Sequence, residues 1–148
     1  MASTILLRGE PVALDTAAGL PKNYITAVKH QDAVDEFKLD LWECRASIDT
    51  LVRHHLRLSS QDSCEVLNHD SWLHGGFNMC VFVRTIDHKS RSAKFFVFRS
   101  PLTSRVSENH HPGRIDEKLG CELATHAYFQ EYCADIRIPH LYAFGNAT

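Results

Sequence analysis

The sequence lacks any long apolar run. Near its start the apolar run Ile5 to Leu7 is only three residues long, too short for the core of a secretory signal, and no later stretch approaches the length of a membrane span. A surplus of one charge is also missing: 16 Lys and Arg stand against 18 Asp and Glu, a formal net charge of −2. The basic residues are scattered, which excludes the electrostatic footprint of a nucleic acid or of an anionic membrane surface. Cysteine pairs at metal spacing are absent. The five cysteines, Cys44, Cys64, Cys80, Cys121 and Cys133, are odd in number and widely separated, which argues against a disulfide framework or a zinc ribbon and fits reduced thiols in the cytoplasm. The ten histidines form no H-x-x-x-H or H-E-x-x-H; His54-His55 and His110-His111 are adjacent pairs whose side chains diverge, so no metal site is expected. No Gly-x-Ser-x-Gly elbow and no internal repeat occurs.

What is present is an ordinary globular composition. The 148 residues are 44% hydrophobic and 23% charged, enough for one domain with a modest core. Residues 1–31 carry no sustained period and are expected to be a loosely ordered leader; residues 32–148 form the domain. From Asp32, which can cap a helix, Val34, Phe37, Leu41, Ile48, Leu51, Val52 and Leu56 recur at helical spacing, predicting one long amphipathic helix as far as Ser59. Three strand-like runs follow, Cys64 to Leu73, Phe77 to Ile86 and Lys94 to Arg99, with short links that predict an antiparallel meander. The second and third runs are apolar at nearly every position, so both faces of those strands need cover. A second helix is expected from Ile115 to Tyr132, after a loop with His110-His111-Pro112-Gly113, and a last strand from Ile136 to Gly145. The fold class is α+β.

Three positions in this order can carry chemistry. Gly75-Gly76-Phe77-Asn78 lies between two strands, where residues without Cβ let backbone N–H groups approach an anion; Gly-Gly is equally a common hairpin turn. Arg99 ends the third strand on the face of Phe95 and Val97, because side chains alternate with period two. Glu122 falls within the apolar stripe of Ile115, Leu119, His126 and Phe129, and a carboxylate there requires a cation. Arg99 is the first choice, with Lys94, Arg137 and water as alternatives. The aromatic run Phe95, Phe96, Phe98 reads as core.

The blocks Gly-Gly-Phe-Asn-Met-Cys-Val (75–81), Phe-Val-Phe-Arg-Ser-Pro (96–101), Asp-Glu-Lys-Leu-Gly-Cys-Glu (116–122) and Ile-Arg-Ile-Pro-His-Leu-Tyr-Ala-Phe-Gly (136–145) together resemble a fungal branch of the aminoglycoside phosphotransferase and choline kinase-like family, over roughly residues 32–145. The resemblance implies the N-terminal lobe of a protein kinase-like fold, with an antiparallel sheet, a long N-terminal helix and an αC-like helix. It implies ATP and Mg in the full-length enzymes, with Gly75, Gly76, Phe77 and Asn78 over the phosphates, Val97 near the adenine, Arg99 as the phosphate-binding cation and Glu122 as its partner. Arg99 stands where a lysine is usual, and a planar guanidinium changes the phosphate geometry. The catalytic and magnesium-holding acids of such enzymes come from a C-terminal lobe. No H-x-D-x-x-x-x-N or Asp-Phe-Gly-like segment lies within residues 1–148, so the chain is expected to be a truncated phosphotransferase, inactive alone, with nucleotide binding weak or absent and self-association through an exposed hinge face. The alternative is a non-catalytic protein- or nucleotide-binding module derived from such a kinase.

Overall fold

The computed structural model describes residues 4–7, 10–18, 24–106 and 112–145. They build an α+β arrangement of antiparallel strands and helices. Within residues 1–31, strands β1 (Thr4–Leu7) and β2 (Glu10–Ala13) form an antiparallel hairpin, followed by the short helix α1 (Leu14–Ala18). Where one long helix was expected from Asp32, two occur: α2 (Tyr24–Glu43) and α3 (Arg45–His55), parted at Cys44. Hydrogen bonds from Cys44 N–H to Asp40 O and from Ile48 N–H to Cys44 O run across the break. The apolar positions therefore keep helical spacing on both sides, and the pattern alone does not reveal the interruption. Val34 of α2 and Ile48 of α3 are both buried in one core.

The main sheet is built around β5 (Asn78–Ile86). Along one edge of it run two short pieces, β3 (Ser63–Val66) and β4 (Leu73–His74). Along the other runs β6 (Ala93–Pro101), paired from Ala93 opposite Ile86 to Pro101 opposite Asn78. The antiparallel meander expected from the sequence is present, but its first strand, read as Cys64 to Leu73, is interrupted. At Asn68 the chain leaves the sheet: the Asn68 side chain accepts from Asp70 N–H at 2.9 Å, a 3-10 turn spans His69–Ser71, and the Trp72 indole donates to Leu67 O at 2.8 Å. This is the local side-chain competition that asparagine and serine offer the backbone, and its outcome is to bury Trp72.

Period two decides what the sheet covers. Met79, Val81, Val83 and Thr85 of β5 are buried; the first three form the core with Val34, Ile48, Trp72 and Leu102, and Phe96 and Phe98 of β6 pack onto it. The opposite face holds Phe95 and Val97, which are 67% and 52% exposed. Phe95 therefore leaves the expected aromatic core, since its neighbours in sequence take the covered side.

Helix α4 (Thr103–Val106) follows β6, and α5 (Arg114–Tyr132) follows Gly113, whose φ of 90° suits glycine. His110 and His111, expected in the preceding loop, lie outside the described residues. The strand expected over residues 136–145 does not form. Pro139 has no N–H to give, the Leu141 N–H donates to the Gln130 side chain of α5 at 2.5 Å, and Tyr142 rests edge-on against Phe96 with ring centres 5.3 Å apart. No helix among the described residues is long and apolar enough to cross a membrane.

Met79→Ala, which empties part of the core, is expected to cost about 2–5 kcal/mol, whereas Val97→Ala on the open face should change stability by about 0.5 kcal/mol or less. Chemical denaturation of the two variants against the parent protein measures the difference.

Candidate functional site

Asn78 begins β5 immediately after the turn that leaves β4. The Gly75 N–H donates to Asn78 O at 3.0 Å and closes that turn. Neither Gly75 nor Gly76 has a positive φ, and a methyl group built on either would meet nothing within 4 Å. The backbone conformation thus does not demand glycine here; what the two glycines provide is unobstructed access to the backbone.

Pairing of β6 with β5 sets Arg99 opposite Cys80, two residues beyond Asn78. Residues directly opposite point to the same face, so Arg99 shares the open face with Cys80 and Leu73, and with Phe82 and Val97, which oppose each other. From this face Arg99 reaches α5: its Nη2 lies 3.3 Å from Glu122 Oε2. The other carboxylate oxygen, Oε1, bonds Lys118 Nζ one helical turn earlier. Lys118 Nζ in turn sits 5.5 Å from the centre of the Phe77 ring. With its amide oxygen turned toward the guanidinium, Asn78 accepts from Arg99 Nη2 at 2.7 Å. Turn, strand and helix are joined by this chain of contacts.

The structure brings together Phe77, Asn78, Arg99 and Glu122, four of the residues singled out by sequence, and puts Val97 on the same sheet face as Arg99. Of the partners open to Glu122, Arg99 is the one found among the β-strand residues. The stripe argument for Glu122 needs correction: its side chain is 38% exposed, and that of Arg99 is 56% exposed. No residue of α5 is buried, so burial does not force the pair. An ion pair so open to water contributes about 0–1 kcal/mol; it positions the guanidinium more than it stabilises the fold. Lys118 was missed, although its spacing of four residues from Glu122 was readable as a helical ion pair.

The remaining polar chemistry is structural. Asp62 accepts from the backbone N–H groups of His88 and Ser59, at 3.0 and 2.8 Å, and these bonds hold its carboxyl well below the usual carboxylate range. The clamp ties the end of the α3–β3 loop to the β5–β6 turn, where Asp87 is lowered in the same way, first by the Ser90 N–H. In the open groove between α3 and β3, burial and the Asp49 carboxylate push the Cys64 thiol up to about 12, so it is protonated and a poor nucleophile. Among the described residues no group of three or more His, Cys, Asp or Glu could hold a metal ion.

No family model, no curated protein and no solved structure matches this chain.

Two outcomes follow. Glu122→Gln should alter the free energy of unfolding by less than about 1 kcal/mol, because the pair is solvent-exposed; a larger loss in urea titration contradicts the open geometry. For Asp62 the folded pKa is below the unfolded one, so its contribution is present above the ordinary carboxylate pKa of about 4 and is lost as pH falls from there. The stability advantage of the parent protein over Asp62→Asn should therefore shrink as pH falls from about 5 to about 2, as read from paired melting curves.

Proposed function

We propose that this chain is the nucleotide-gripping N-terminal lobe of an aminoglycoside phosphotransferase-like kinase. The observation that carries the reading is the Arg99–Glu122 ion pair, which links the β6 strand to α5 beside the Gly75–Asn78 turn. A strand cation fixed by a helix carboxylate next to a glycine turn is the arrangement that orients nucleotide phosphates in kinases.

The residues present fit a triphosphate. Access to the backbone at Gly75 and Gly76 is open, Arg99 keeps more than half of its side chain in solvent, and Val97 offers an apolar wall on the same face for a planar base. In this reading Arg99 and the turn N–H groups after Gly75, whose own N–H is taken by Asn78 O, bind the phosphates. Glu122 and Asn78 hold the guanidinium in place, and Lys118 holds Glu122. Bound ATP would supply the transferable phosphoryl group. Among the described residues no group of three or more His, Cys, Asp or Glu could ligate magnesium, and no step is assigned to it. Residues 1–148 contain neither acidic motif needed for transfer, so phosphoryl transfer requires a second lobe that carries them, and these residues alone bind without catalysing. The exposed Phe95 and Val97 favour one further reading, a non-catalytic module that uses this face to hold a protein or a nucleotide.

Titration with a fluorescent ATP analogue tests the proposal. The parent chain should bind weakly; Arg99→Ala should weaken binding by about tenfold or more, the scale of losing a charged hydrogen-bond donor. Gly75→Val should fold normally and also weaken binding by blocking the backbone. Binding by Arg99→Ala equal to the parent's, or no binding by the parent at millimolar nucleotide, sinks the reading.

A further inference from the structure

Two cations share one carboxylate beside the Gly75–Asn78 turn. Glu122 gives Oε2 to Arg99 Nη2 at 3.3 Å and Oε1 to Lys118 Nζ, and among the described residues it is the one acid in ion-pair range of either. The group therefore carries a surplus positive charge. Its donors are also in surplus, because a guanidinium has five N–H groups and an ammonium three. Arg99 uses Nη2 on Glu122 and on the Asn78 amide oxygen, and Lys118 uses one N–H on Glu122. Among the described residues no acceptor takes the others.

Lys118 is held in place. Its side chain is 26% exposed, against 56% for Arg99, and its ammonium sits 5.5 Å from the centre of the Phe77 ring, within range of a cation–π contact. The ordering that a ligand would otherwise impose on a long lysine side chain is thus largely present before it arrives. The two cations meet the turn at successive residues: Lys118 touches Phe77, and Arg99 touches Asn78. Bonded to the two oxygens of one carboxylate, their nitrogens lie roughly 5–8 Å apart by ordinary hydrogen-bond lengths. Two successive phosphate groups fill that separation with one cation each.

We infer that Lys118 is a second phosphate-binding residue, which with Arg99 clamps a diphosphate group, one cation to each phosphate, while Glu122 braces both. This rests on the nucleotide reading of the face and deepens it. Lys118 contributes where two linked phosphates are present, and a monophosphate engages Arg99 without it. The lysine acts directly, through N–H groups that Glu122 does not use, in addition to steadying Glu122.

Amide and side-chain NMR titrations of the chain with ADP and with AMP, without added metal, test the clamp. The parent should bind ADP about tenfold or more tightly than AMP, the scale of one added charge-assisted contact. Lys118→Gln exchanges one good helix former for another at a partly exposed position and should fold as the parent does. In it the ratio should fall to about threefold or less, by loss of ADP affinity with AMP little changed. Within the parent, the Lys118 side-chain resonances should move with ADP and stay with AMP. A ratio unchanged in Lys118→Gln, an equal loss for both nucleotides, or Lys118 side-chain resonances that do not respond to bound ADP identifies a lysine that only braces Glu122. Any of these overturns the clamp and leaves nucleotide binding at Arg99 standing. A parent chain that shows no shifts at millimolar ADP removes the clamp and the nucleotide reading together.

Discussion

The alternation of side chains along β5 and β6 is the constraint from which the rest of the structure follows. With Met79, Val81, Val83 and Thr85 turned to the core side, the period of two leaves no freedom on the reverse side: Cys80 and Phe82 of β5, and Phe95, Val97 and Arg99 of β6, take the opposite face from Val81 and Val83, the face from which Arg99 reaches α5. A slip of one residue would exchange the two sets and bury a guanidinium in place of an apolar side chain, at a cost of several kcal/mol unless it found a partner. The same register decides where Arg99 can reach. It sets the guanidinium at the end of the sheet beside the Gly75–Asn78 turn, within range of one residue on α5.

That placement gives the site its character. The Arg99–Glu122 pair is solvent-exposed and the Lys118–Glu122 pair partly so, and exposed ion pairs contribute little to folding. A cation that is oriented but not buried can still exchange part of its hydration for an anionic ligand. The core lies on the other side of the sheet, and the clamp at Asp62 is formed between other loops. The groups that hold the fold together and the groups of the open face around Arg99 are thus largely separate, which is why substitutions in one set can be read without disturbing the other.

Much of this was legible in the sequence, and the failures have physical causes. The antiparallel order of the second and third strand runs and the α5 helix follow from period alone, whereas Arg99 was one of several partners open to Glu122 and the burial argued for their pairing does not hold. The break at Cys44 was not legible, since backbone hydrogen bonds carry the helical phase across it. The Asn68 excursion was masked because Cys64 to Leu73 reads as apolar on average while its turn residues sit in the middle. The apolar look of residues 136–145 suggested a strand, but Pro139 and the Gln130 side chain take the backbone out of any ladder. Glu122 was placed too deep: its stripe meets the sheet at a half-exposed margin, and position on an apolar stripe does not by itself fix depth. The kinase-like reading rests on the order of four short blocks and on the geometry around Arg99.

The most direct test of the claim that this face receives a nucleotide is a backbone amide NMR titration of the chain with ATP. The account predicts shifts confined to Gly75, Gly76, Phe77, Asn78, Val97, Arg99 and the first half of α5 around Glu122, with the core strand positions at Val81 and Val83 and the Asp62 clamp unmoved. Shifts that are absent at millimolar ATP, or that map instead to the groove between α3 and β3, would contradict it.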